Sequence, residues 1–297
     1  MNYRYTLLPA LAVTVTTLAL AQGQQTAAPF VVHQLKPNVY WVEGGGGNSG
    51  VIVGDRGVIV VDAKTSAAGG KELLDDIAKI TPKPVTAVIL THSDGDHVNG
   101  LAAFPAGVKV IAHENNKKEQ DAALAAGGRG APPADHLPSQ LITKNEDTLT
   151  LEGVKVELHH WAPAHTSGDL IVYLPAEQIV FTGDIIAMQL PDPLIHLEKN
   201  GSSEGWITTT KGIVGLKSDQ FVPGHGDLQT KAAIQKRLAD AEAKRAKIKE
   251  LVAQGKTLDE VKAAVDPPPA APAPAGGGRG PAFAPFSQVV YTELTKK

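Results

Sequence analysis

The chain of 297 residues contains no cysteine. That removes disulfides, thiolate metal ligands and a cysteine nucleophile together, and leaves histidine and carboxylate as the strong ligands available. A basic excess is missing too. The formal charge is −3 at pH 7, so nothing in the composition favours a nucleic-acid partner. Beyond Leu20 there is no apolar run long enough to span a bilayer. What is present, 42% hydrophobic and 20% charged residues, suits a globular chain with one large core.

The first residues are the apolar exception. Arg4 precedes an apolar and hydroxyl-bearing run from Leu7 to Leu20, and Ala19-Leu20-Ala21 has the small-x-small form of a cleavage site before Gln22. We expect residues 1–21 to be a secretion signal, the protein to be periplasmic or secreted, and no stable membrane insertion to persist after cleavage. A membrane anchor is the competing reading, disfavoured because the run falls short of the ~20 residues of a usual span.

Short β-branched and apolar runs at 30–34, 38–42, 49–53 and 58–62 read as strands, with Gly44-Gly45-Gly46-Gly47-Asn48 and Gly54-Asp55-Arg56-Gly57 as turns. Leu73, Leu74, Ile77 and Ile80 share one face of a helix over 71–80, and a buried strand then runs to Leu90. A strand at 109–112 and a helix at 115–126 follow. A second block has strands at 148–151, 155–160, 169–174, 179–182 and 220–223. Trp206 anchors a helix starting near Ser203, and a long charged helix over 230–254 carries Ile234, Leu238, Ala241 and Ile248 on one face. This order predicts an α+β fold of two similar halves, each a sheet covered by helices on one side.

Two segments are too rich in Gly, Pro and Ala to bury a core of their own. Residues 127–138 read as an insertion within a domain spanning 22–265. Residues 266–285 read as a linker to a tail, 286–297, that docks back through Val289, Val290 and Tyr291. His136, inside the insertion, is expected to face solvent.

The chemistry is concentrated at strand ends. Thr91-His92-Ser93-Asp94-Gly95-Asp96-His97 directly follows the strand ending at Leu90. Two imidazoles and two carboxylates this close repel one another, or stay solvated, unless a cation binds them. Three later strand-end loops each offer one more ligand beside a glycine: His165 in Pro163–Asp169, Asp184 in Thr182-Gly183-Asp184, and His225 in Gly224-His225-Gly226. One such loop could be a simple turn or helix cap. Four in order are far more specific.

This succession resembles the metallo-β-lactamase superfamily of hydrolases over about residues 31–228. The family pattern is His-x-His-x-Asp-His, which His92, Asp96 and His97 match and from which Asp94 departs. The resemblance implies a four-layer αββα sandwich holding two divalent metal ions. One would be held by His92, Asp94 and His165, the other by Asp96, His97 and His225, with Asp184 bridging. Val60-Val61-Asp62 resembles the family's strand-ending aspartate, which supports the metal loop without binding metal. Zinc is the expected metal. Two cations ~3.5–4 Å apart lower the pKa of a bridging water toward neutrality. The resulting hydroxide, oriented by Asp96, would attack an amide, lactam, ester or lactone of a small-molecule substrate, and β-lactam hydrolysis is the leading specific expectation.

Asp94 bears on both metal and substrate. With three carboxylates and a hydroxide around two divalent ions the site is formally neutral, whereas histidine at 94 would leave one positive charge. A less Lewis-acidic first metal, weaker attraction for anionic substrates and better tolerance of iron or manganese are expected. An acidic residue here also resembles diiron members of the superfamily, which makes a redox protein the alternative. Those relatives add a flavin domain whose Gly-rich signature this sequence does not carry.

After Asp184, residues 188–202 form a long loop expected to line the cleft. His196 is a candidate donor to an oxyanion, and Lys199 or Asn200 a candidate partner of a substrate carboxylate. Among the other histidines, His33 and His113 read as structural, and His159 or His160 as a hydrogen-bond partner of a metal ligand.

Overall fold

A computed structural model describes residues 29–127, 132–266 and 283–296. The expected signal segment, residues 128–131 of the insertion and most of the expected linker lie outside the described residues.

The first sheet opens as a meander. Strands β1 (Val31–Lys36), β2 (Val39–Glu43), β3 (Ser49–Val53) and β4 (Val58–Val61) pair antiparallel in chain order. The chain then switches to parallel pairing, each crossover carried over one face of the sheet. Helix α1 (Ala67–Ile80) leads to β5 (Val85–Ile89), which is followed by the short helix α2 (Gly95–Val98) and β6 (Lys109–His113). Helix α3 (Glu114–Ala125) leads to β7 (Gln140–Ile142), a short edge strand that the sequence pattern does not announce. The Ser66 hydroxyl, accepting from Gly69 N, fixes the start of α1 four residues earlier than its apolar face alone suggests.

The second sheet runs in the order β12-β11-β10-β9-β8. Strands β8 (Glu146–Leu151), β9 (Val154–His159), β10 (Ile171–Leu174) and β11 (Ile179–Ala187) are antiparallel neighbours. Helix α4 (Ser203–Gly215) carries the chain across to β12 (Gln220–His225), parallel to β11. Helices α5 (Lys231–Ala253), α6 (Leu258–Val265) and α7 (Phe286–Thr295) follow.

Alternation along the strands assigns the layers. In β4, Ile59 and Val61 point to the partner sheet, where they meet Val172, Ile179, Phe181 and Val222, while Val58 and Val60 point outward against Leu73 and Ile77 of α1. On the far side, Trp206, Ile213, Ile234 and Leu238 of α4 and α5 cover Ile171, Val180 and Phe221. Strands buried on both faces read as continuous apolar runs, which is why β4 and β5 are so plain in sequence. The result is helices, sheet, sheet, helices, the α+β sandwich of two halves that the sequence predicts. The tail helix α7 buries Phe286, Val289 and Val290 in the same outer core, and Glu293 accepts from Ser203 N at the start of α4 (2.6 Å). No described helix is long and apolar enough to cross a membrane.

One expectation fails here. His136 is buried, not solvent-facing, in a short 3-10 turn at Ala134–His136, and its Nε2 lies 3.0 Å from the Phe104 carbonyl. Its Nδ1 also lies 2.9 Å from the Asp135 carboxylate, so partners at both ring nitrogens capture it although the segment around it is rich in Pro and Ala.

Candidate metal centre

Parallel strands that start together end together, so β4, β5 and β6 deliver their C-terminal residues to one rim of the first sheet, as β11 and β12 do for the second. The two rims meet, and the ligating loops meet with them. From β4 comes Asp62, held at φ 60; from β5 comes the His92–His97 loop. Register shifts at Gly183 let β11 continue past the Thr-Gly-Asp turn, so Asp184 lies within the strand rather than after it. Likewise β12 extends through Pro223 to end on His225. Asn48 ties the rims together, donating from Nδ2 to the carbonyls of Pro223 (3.0 Å) and Gly226 (2.9 Å).

Ligand atoms of His92, Asp94, His165 and Asp184 lie within 4.8 Å of one another, and so do those of Asp96, His97 and His225. Within the first group, Asp94 Oδ2 is 3.2 Å from His165 Nε2 and 3.7 Å from His92 Nε2. Within the second, His225 Nε2 is 3.1 Å from Asp96 Oδ2 and 3.4 Å from His97 Nε2. Asp184 belongs to both neighbourhoods, since its two oxygens lie 3.3 Å from His97 Nε2 and 3.4 Å from His225 Nε2. Backbone must come very near for this. A Cβ on Gly224 would stand 1.8 Å from Asp184 Oδ1, and one on Gly47 2.3 Å from His97 Cε1.

Hydrogen bonds behind the rings decide which nitrogen faces inward. The Leu194 carbonyl can only accept, so His165 Nδ1, 2.9 Å away, carries the proton. His97 Nδ1 likewise donates to Asp62 Oδ2 at 2.8 Å. Thr91 Oγ1 gives its proton to the same carboxylate (2.7 Å), so it accepts from His92 Nδ1 (2.9 Å). All three rings therefore turn Nε2 toward the shared space, the nitrogen a metal ion would take in exchange for any proton it carries. His92 Nε2 and Asp184 Oδ1 are buried there with no hydrogen-bond partner. Uncompensated buried polar atoms are costly, and a pair of cations satisfies them. The donor set fits two divalent metal ions.

The electrostatics agree. Burial works against charging His97, His165 and His225, yet the neighbouring aspartates outweigh it. They push His97 well above the usual histidine range and the other two up to about 9. Burial dominates at His92, with His97 adding to it, and pushes that ring well below the usual range. Burial opposes ionisation of Asp94 and Asp184 as well, but the imidazoles around them hold both carboxyls below the usual carboxylate range. A cluster that draws protons onto its histidines is one that draws cations.

A sequence profile described as "Metallo-beta-lactamase superfamily" matches residues 42–225. The chain belongs to this superfamily. It is 29% identical over 177 residues to the 2,4-dinitroanisole O-demethylase subunit alpha of Nocardioides sp. (strain JS1661), covering 59% of this chain and 51% of that one. It is 26% identical to the metallo-beta-lactamase type 2 of Bacillus cereus, over 72% of this chain and 87% of the other. Among solved structures, a stereoselective inverting sec-alkylsulfatase from Pseudomonas sp. aligns with a TM-score of 0.66 at 20% identity, over 88% of this chain and 47% of that one. The chain thus spans about half the length of the demethylase subunit and of the sulfatase.

In this superfamily member the seven expected ligand side chains come together. The cleft residues proposed from the loop after Asp184 fall differently. His196 is buried, with Nε2 2.9 Å from Asp94 Oδ2 and its ring edge-on to Phe283, the centroids 4.7 Å apart. Lys199 does not stand free to meet a substrate carboxylate, because its ammonium donates to Asp94 Oδ1 and to Ser93 Oγ (2.9 Å). Asn200 is exposed at φ 55 and closes the 3-10 turn Leu197–Lys199, a conformational task.

Neither His159 nor His160 reaches a ligand. His159 stacks on Trp161 and faces Glu146, and His160 Nδ1 donates to the Asp169 carbonyl (2.8 Å) while its ring stacks on His113. His33 stacks on Trp41, and His113 caps α3 by accepting from Asn115 N, so these two are structural. The groups that do orient the ligands, Thr91 and the Leu194 carbonyl, carry no sequence signal beyond adjacency to the ligand loop. Asp62 does carry one, as a strand-ending aspartate.

Proposed function

We propose that the protein is a binuclear metal-dependent hydrolase acting on an amide, lactam or ester-type bond of a small molecule, with β-lactams the leading specific substrate. The observation that carries this reading is the inward-facing Nε2 of His92, His97 and His165, each fixed by a bond at Nδ1, around the carboxylate of Asp184. Zinc is the metal we propose. Bound there, the ions would supply Lewis acidity toward the scissile carbonyl and a nucleophile at neutral pH.

The chain's own residues do the rest. Asp96 has the most exposed side chain among the ligating carboxylates, 36% accessible against 4% for Asp184. Asp96 is therefore the group placed to accept a proton from the attacking water and hold its lone pair toward substrate. Asp62 keeps His97 in one tautomer throughout. His196 Nε2 is buried 2.9 Å from Asp94 Oδ2 without a formed hydrogen bond, so we assign it to the surroundings of that carboxylate before any role toward substrate.

The β-lactam assignment is supported by coverage. The match to the Bacillus cereus enzyme extends over 87% of that protein, whereas the match to the demethylase subunit extends over 51%. Lactones and other esters are the substrates to try next. The apolar N-terminal run supports secretion, which would place the enzyme where β-lactams act.

Elemental analysis of protein purified without added metal, followed by assay on a chromogenic β-lactam, tests both levels. The expected result is two zinc ions per chain and turnover abolished by a chelator. Metal binding without β-lactam turnover, but with turnover of a lactone, a sulfate ester or an aryl methyl ether, would keep the hydrolase and replace the substrate. Iron accompanied by oxygen consumption would replace the hydrolase with the redox alternative.

A further inference from the structure

Asp94 divides its two oxygens between two worlds. Oδ2 faces inward, 2.9 Å from His196 Nε2 and 3.2 Å from His165 Nε2. Oδ1 faces away and takes the Lys199 ammonium. Asp94 also stands at the N-cap of α2, yet its side chain makes no capping bond there, so the residue gives up the commonest local use of an aspartate in that position.

Lys199 is not a long surface side chain that happens to fall nearby. Its ammonium also donates to Ser93 Oγ, which donates to Glu119, and Glu119 accepts in turn from Ser167 Oγ (2.7 Å). The Lys199 carbonyl accepts from Ser167 N (2.9 Å), and His196 N donates to the His165 carbonyl (2.8 Å). A Cβ on Gly201 would lie 2.4 Å from the same carbonyl. The loop that carries Lys199 is thus zipped along the backbone of His165, itself a ligand of the first metal position.

We propose that Lys199 is a positioning residue for the first metal. It restores the positive charge that Asp94 removes relative to histidine, and it engages Oδ1 so that only Oδ2 is offered inward. Asp94 and Lys199 then act as one unit equivalent in charge to a neutral ligand. The formally neutral site expected from the ligands alone becomes one unit positive, as it would be with histidine at position 94. Freed of Lys199, the carboxylate can turn both oxygens to the metal, raising its coordination number and favouring harder ions. With histidine at 94, by contrast, the retained ammonium becomes an unpaired charge beside a dication and opposes binding.

This inference rests on the metal-centre reading above, and cobalt-substituted full-length protein separates the two. Wild type, Lys199→Met, Lys199→Arg, Asp94→His and the Asp94→His/Lys199→Met double variant are loaded with cobalt(II), then compared by visible absorption and chelator competition. A wild type that binds no cobalt would overturn the metal centre and this inference together. With cobalt bound, Lys199→Met is expected to lose about half or more of the visible band intensity per ion, as coordination number rises, and Lys199→Arg to keep it. Asp94→His is expected to weaken the first cobalt by about tenfold or more, and adding Lys199→Met to recover most of that loss. An unchanged Lys199→Met spectrum, or an Asp94→His loss equal with and without Lys199, would overturn the inference and leave the metal centre standing. A Lys199→Met effect confined to KM, with the spectrum intact, would return Lys199 to substrate binding.

Discussion

The two metal positions are supported in different ways. Behind the Asp96–His97–His225 position stands Asp62, a buried side chain at the end of a central strand, accepting from Thr91 N (2.8 Å), Thr91 Oγ1 and His97 Nδ1. Lys64 is also buried, at φ 77, and its ammonium donates to the carbonyls of Val42 (2.7 Å) and Gly47 (2.9 Å), pinning the glycine loop against His97. Behind the His92–Asp94–His165 position, Thr91 holds His92, while the other two ligands rest on the Leu194 carbonyl, His196 and Lys199, all three from one loop. One side is braced by the sheet and overdetermined, and carries backbone strain that only such bracing can hold. The other is braced by a loop, where a side chain can change partners without unfolding a strand. On the proposed reading, the sheet side sets whether the site exists and the loop side sets its charge.

The largest expected effect lies on the sheet side. Asp62→Ala leaves two buried donors and the His97 ring without a partner, and should cost roughly 3 kcal/mol or more of stability, read by denaturant unfolding, together with loss of one metal per chain. A small change with the second metal retained would mean that the strand does not brace that position.

Gly224→Ala comes next. A methyl group cannot share space with Asp184 Oδ1, so the carboxylate must move, with a cost of about 1–3 kcal/mol and a sharp fall in content of both metals. Retention of both metals would show that Asp184 has room the present packing denies.

The pH dependence of the metal-free protein sharpens the contrast further. Burial lowers the Lys64 pKa from 10.5 to about 7, although nearby carboxylates oppose the shift. Between those two values the unfolded chain holds a proton that the folded chain has released, so stability should rise with pH across that window. The gain is absent below about pH 7. Lys64→Met should flatten the rise, as measured by urea unfolding from neutral to alkaline pH; an unchanged slope would remove Lys64 as its source. The smallest effect is expected on the loop side. Ser93→Ala removes one partner of Lys199 and should cost less than about 1 kcal/mol, while making the first metal easier to strip with a chelator.

Much of the fold is legible because these strands are buried on both faces and read as unbroken apolar runs. Val58–Val61 and Val85–Ile89 are found almost to the residue. Strand β7 is missed because three residues, one of them an exposed leucine, give no period to read. The continuation of β11 through Gly183 is missed for another reason: a Thr-Gly-Asp run looks like a turn unless a neighbouring strand pairs with it. His136 went astray through its Pro-rich surroundings, since composition says nothing about one favourable carbonyl thirty-two positions away.

The sequence by itself determines which side chains can ligate and in what order, because each follows an apolar run that reads as a strand. It also determines that no thiolate takes part, and that position 94 is acidic. Tertiary structure alone decides what that acidity means. The two oxygens of Asp94 are equivalent in the sequence and become different only when the loop of Lys199, more than a hundred residues further along the chain, lies down along His165. A carboxylate's charge is local, but its balance is set by whatever charge folding brings within a few ångströms.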